Sequence, residues 1–118
     1  MQAFNPTMPN VARIYDYALG GKTNYLADRE AAHEILERSP EAFNIARENR
    51  QFLGRAVRLI SLTGVTQFID IGSGLPTVKN THQIAQGANR DSRVAYVDND
   101  PVVISHANVA VKADPPPC

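Results

Sequence analysis

The sequence has little cysteine, no tryptophan and no surplus of either charge. Its single cysteine is Cys118, so no disulfide can close within the chain, and a reducing compartment suits it. Twelve basic side chains balance twelve acidic ones. That balance removes the electrostatic footprint of a nucleic-acid binder and gives no acidic tail. No apolar run approaches the length of a membrane span. Met1 to Asn10 hold no stretch of the signal-peptide kind. The three histidines, His33, His82 and His106, are far apart, and with a terminal cysteine they make no metal-ligand spacing. No Ser/His/Asp or Cys/His arrangement stands out. The 118 residues are 43% hydrophobic and 20% charged, ordinary for one small globular domain. The expectation is a soluble cytoplasmic protein with no resident metal.

What the chain does have is concentrated between Gln67 and Pro101. Gln67-Phe68-Ile69-Asp70-Ile71 has strand length and runs straight into Gly72-Ser73-Gly74. Arg93-Val94-Ala95-Tyr96-Val97 is a second such run and ends in Asp98. Between them, Asn80 to Asn89 has the length and polarity of a helix, with Asn80 and Gln83 spaced as a capping box. This is a β-α-β unit, with a ligand edge at the carboxyl ends of its strands.

A strand that turns at once into a ligand-facing loop needs residues without a Cβ, which Gly72 and Gly74 supply. Asp98 follows Gly74 by 24 positions. A carboxylate about 20 residues past such a loop suits a ribose diol, so the ligand is expected to be a nucleoside. A dinucleotide fingerprint would have a third glycine; Thr77 stands in that slot, behind Pro76. The amides that would hold a pyrophosphate at a helix start are displaced to Asn80. Asp70 adds a carboxylate two residues before Gly72. It is poor company for a pyrophosphate and good company for a cationic amino acid, such as the methionine end of S-adenosylmethionine. Asn99 fits either an adenine contact or a simple turn.

Three helices are expected ahead of the first strand. Asn10 caps the first, which runs through Leu19 with Val11, Ile14, Tyr15, Ala18 and Leu19 on one apolar face. Gly20-Gly21 ends it. The second runs from Leu26 or Asp28 to Arg38, on a stripe of Ala31, Ala32, Ile35 and Leu36. Ser39-Pro40-Glu41 starts the third, with Ser39 as its cap. It extends to Leu62, burying Ile45, Phe52, Leu53, Ala56, Val57, Leu59 and Ile60 and leaving four arginines solvated. Asp100 caps a last helix with Pro101 in its first turn and Val102, Val103, His106, Ala107 and Ala110 on one side. His33 is expected on a solvated helix face and His106 to pack; His82, in the first turn after the glycine loop, is read as a surface residue first and as one approaching the ligand second. The domain plan is 1–64 helical, 65–113 ligand-binding and 114–118 a proline-rich tail.

Asp70-Ile71-Gly72-Ser73-Gly74 resembles the first motif of class I S-adenosylmethionine-dependent methyltransferases. Asp98-Asn99-Asp100-Pro101-Val102-Val103 resembles the second. A bacterial subfamily described as S-adenosyl methyltransferase is the nearer likeness. Its pattern is carried by Ala12-Arg13-Ile14-Tyr15-Asp16-Tyr17, Leu19-Gly20-Gly21-Lys22, Asn24-Tyr25 and Asp28-Arg29-Glu30, then by Gly74-Leu75-Pro76-Thr77 and Tyr96 to Pro101. The resemblance implies an α/β, Rossmann-like methyltransferase fold, present in part and preceded by a helical segment. It implies S-adenosylmethionine as cofactor and methyl transfer to an unknown acceptor.

In that picture Asp98 holds the ribose, Gly72, Ser73 and Gly74 line the donor with backbone, and Asp70 orients the loop or the amino group. The block with Tyr17, Gly21, Lys22 and Asn24 reads in two ways: as a core-facing aromatic beside a helix end, or as a lid over the ligand. Family members are longer, so an amino-terminal fragment without turnover is expected, with self-association through an open sheet edge. Zero net charge weighs against nucleic acid as acceptor. Two other functions fit the same residues: a nicotinamide-dinucleotide module, and a non-enzymatic S-adenosylmethionine-binding protein.

Overall fold

The computed structural model describes residues 5–76 and 79–113, and the side chains of the last helix as far as Ala107. Thr77, the side chain of Ala110, the first four residues of the amino-terminal arm and the proline-rich tail lie outside the described residues. The order is α1 (Val11–Ala18), α2 (Leu26–Arg38), α3 (Ala42–Leu62), β1 (Gln67–Ile71), α4 (Thr81–Ala88), β2 (Arg93–Val97) and α5 (Pro101–Ala113). Two compact units divide the chain, Met1–Arg50 and Gln51–Cys118, and the division falls within α3.

In the first unit, α1 starts where Asn10 is extended and its side chain accepts from the Arg13 amide at 3.0 Å. Gly20 takes the left-handed φ of 81° just past the helix end. In α2, the Asp28 carboxylate accepts from the Tyr25 amide at 2.8 Å, an acid serving the first turn. The expected start of α3 shifts. Ser39 closes α2 instead, its N–H donating to Ile35 O at 2.8 Å. Pro40 and Glu41 then form a turn before Ala42.

The apolar faces of the first and third helices also differ from expectation. On α1, Val11 is 83% exposed, whereas Arg13 and Asp16 are buried. On α3, Ala46 and Val57 are buried but Ile45, Phe52 and Leu59 are all more than 60% exposed. Helical spacing identifies a stripe; it does not say which neighbour covers it.

The second unit holds a parallel two-stranded sheet with Gln67 opposite Arg93 and Ile71 opposite Val97. Phe68, Asp70, Val94 and Tyr96 alternate onto the half-buried face, towards α4. Ile69, Ile71, Ala95 and Val97 occupy the exposed face. Among the described residues, Val57, Leu75, Ala85 and Val103 are the buried apolar members of its core. The predicted capping box is present at α4, where the Asn80 amide donates to Gln83 Oε1 at 2.8 Å. At α5, Asp100 Oδ1 accepts from the Val102 amide at 2.9 Å.

Candidate functional site

The carboxyl ends of β1 and β2 lie side by side, and the loop after β1 folds across them. Gly72 and Gly74 have φ of 70° and 71°, values that L side chains adopt at a cost. A Cβ on either would meet nothing within 4 Å, so the backbone shape, not crowding, calls for glycine. The Gly72 and Ser73 amides both donate to Val97 O, at 2.7 and 3.3 Å. This pins the start of the loop to the end of β2.

Asp98 completes the arrangement. Its Oδ2 accepts from the Gly74 amide at 3.0 Å, and its Oδ1 accepts from the Asp100 amide at 2.9 Å. One carboxylate therefore ties the glycine loop to the start of α5. A carboxylate offers about four acceptor positions, so two such bonds leave room for a donor pair such as a diol. Asn99 is exposed beside it. Asp70 lies one strand over, where Thr81 Oγ1 donates to its Oδ2 at 2.7 Å.

His82 departs from expectation. It is buried at 5% exposure, not on a solvated face. Its amide donates to the Tyr96 phenol oxygen at 2.7 Å, and its Nδ1 lies 2.6 Å from the same oxygen. The rings meet edge to face. A signal was present in the sequence: Tyr96 alternates inward on its strand, and a buried phenol requires a polar partner. His33 is exposed, as expected, with Nε2 at 3.4 Å from Tyr17 Oη. His106 is half-buried, its Nδ1 2.8 Å from Val102 O.

The polar block of the first unit is largely occupied with itself. Arg13 Nε and Asp28 Oδ2 form a buried ion pair at 2.9 Å. Asp28 also accepts from the Asn10 and Tyr25 amides, and Arg13 donates to Met8 O at 2.6 Å and Asn5 O at 3.1 Å. Asp16 Oδ2 accepts from the Thr23 amide and from Asn24 Nδ2, both at 2.9 Å. Asn24 Oδ1 accepts in turn from Arg29 at 3.0 Å. Gly21 is required for space: a Cβ there would run into the Asp16 carboxylate. Tyr17 packs edge-on against His33 and Phe43. Lys22 alone of the four candidates in this block presents an exposed head with no bond to the described residues. Sequence reasoning missed the Arg13–Asp28 pair, whose members sit on different helices.

Comparison with known proteins bears on the whole chain. The profile of S-adenosyl methyltransferases matches residues 1–117. No curated protein matches the chain significantly. A solved structure from Thermobifida fusca YX, provisionally described as a methyltransferase, is 47% identical with a TM-score of 0.87, over 93% of this chain and 42% of that one. A DUF574 family protein from Streptomyces avermitilis MA-4680 is 44% identical with a TM-score of 0.82, over 86% of this chain and 39% of that one. The chain thus spans about two fifths of the length of either. By a profile match running almost from end to end, and by the fold it shares with both structures, the chain belongs to the S-adenosyl methyltransferase family.

Proposed function

We propose that the second unit binds S-adenosylmethionine in support of methyl transfer. The observation that carries this reading is the Asp98 carboxylate, which braces the glycine loop and the start of α5 while retaining acceptor capacity for a ribose diol. Gly72, Ser73 and Gly74 would present backbone to the donor, and Asn99 would border the adenine. Of the two roles open to Asp70, orienting the loop is favoured, because one of its oxygens is already engaged by Thr81 at the start of α4.

S-adenosylmethionine, when bound, supplies a methyl group already activated by its sulfonium. The protein's task is then to hold the donor, align it with the acceptor and exclude water. That task needs no general base of perturbed acidity. Zero net charge favours a small molecule or protein over nucleic acid as the acceptor.

Asp98→Ala tests the assignment. A hydrogen bond to a charged group contributes about 1.5–3 kcal/mol, so affinity for S-adenosylhomocysteine should fall by roughly ten- to a hundred-fold in calorimetry. Unchanged affinity in a folded Asp98→Ala protein would remove Asp98 from the ribose.

A further inference from the structure

We propose that Tyr96 is a positioning residue for the donor loop, acting through His82; this rests on the S-adenosylmethionine reading above. Asp70 and Tyr96 are register partners on the inward face of the sheet. Each holds one of the first two residues of α4: Asp70 takes the Thr81 hydroxyl, and Tyr96 takes the amide and ring of His82. The glycine loop is pinned at its beginning by Val97 O and Asp98. Its far end is the start of α4, and these two side-chain braces hold it.

The pairing has a direction. Tyr96 Oη already accepts from the His82 amide. Its own proton can then go to Nδ1, 2.6 Å away, an arrangement that puts the ring proton on Nε2. An apolar pair would fill the same space without fixing the helix start. The phenol and imidazole set both its distance and its angle, so the start of α4 is fixed before the donor arrives.

The brace acts on the loop side of the ligand. Adenosine reaches Asp98 and Asn99 and has no amino-acid moiety to place on the loop. S-adenosylhomocysteine needs the loop as well. The preference for S-adenosylhomocysteine over adenosine is thus the quantity that positioning controls; general destabilisation would weaken both ligands alike.

The experiment uses the whole chain, with nitrogen NMR of His82 and calorimetry of both ligands on the parent, Tyr96→Phe, His82→Leu and His82→Asn. In the parent, His82 should show the Nε2–H tautomer. Tyr96→Phe and His82→Leu should each weaken S-adenosylhomocysteine about ten-fold, the value of roughly one hydrogen bond's alignment. Adenosine should change less than about two-fold. His82→Asn keeps an acceptor near the Nδ1 position and should recover most of the preference. Should Tyr96→Phe fail to fold, the two His82 variants decide the matter. An unchanged preference in folded Tyr96→Phe or His82→Leu overturns the proposal and leaves the donor reading standing, as does equal weakening of both ligands. A parent that binds neither ligand overturns both.

Discussion

Buried charge in this chain is concentrated on Arg13 and Asp28, at 2% and 0% side-chain exposure. Asp28 accepts three hydrogen bonds, from Asn10, Tyr25 and Arg13, and so joins the arm, α1 and α2. A buried pair is weak evidence of stability as such, but removing one member strands the other and costs about 3–5 kcal/mol. Asp28→Ala should therefore lower Tm by about 10–20 °C in a chain of this size. A thermal scan showing a fall of less than about 3 °C would mean that the pair does not hold these pieces together. Local chemistry at this scale was legible in advance: Asn10, the Asn80–Gln83 box and the Asp100 cap all act within three residues of themselves. Arg13–Asp28 was not, and for His82–Tyr96 only the inward phenol was legible, not its partner, since both pairs cross between elements and their burial depends on how those elements pack. The same limit applies to Asp16, which spacing alone would leave on the surface of α1 but which the following loop wraps.

Seven elements were readable from periodicity and end signals, most of them beginning or ending on a residue with its own mechanism: glycine for positive φ, proline for a first turn, asparagine or aspartate for a cap. The second helix rested on its stripe alone, and Ser39 closes α2 rather than opening α3. The faces were less readable. Ile69 and Ile71 are 70% and 79% exposed, and Val97 is 48% exposed. Parallel strands ordinarily have both faces covered, and two strands alone are marginal. Among the described residues, each strand has one neighbour and so one open edge. This uncovered sheet should make the purified chain associate with itself as concentration rises. Ile69→Lys, on the exposed face and away from the glycine loop, should reduce that association with little change in folding. Sedimentation velocity at several concentrations reads it directly; identical profiles for parent and Ile69→Lys would exclude the sheet as the contact.

Across the whole molecule, two kinds of observation agree. The geometry gathers a glycine loop and the Asp98 carboxylate at adjoining strand ends, and the family profile covers residues 1–117. The described residues contain no helix long and apolar enough to cross a membrane. Asp70 ahead of Gly72 and the absence of a third glycine favour S-adenosylmethionine over a dinucleotide, and Asp98 is fixed in place by two backbone amides. The most direct measurement is isothermal calorimetry of the purified chain against S-adenosylhomocysteine and NAD in parallel. The account predicts measurable binding of S-adenosylhomocysteine and none of NAD; NAD binding as tight or tighter would contradict it.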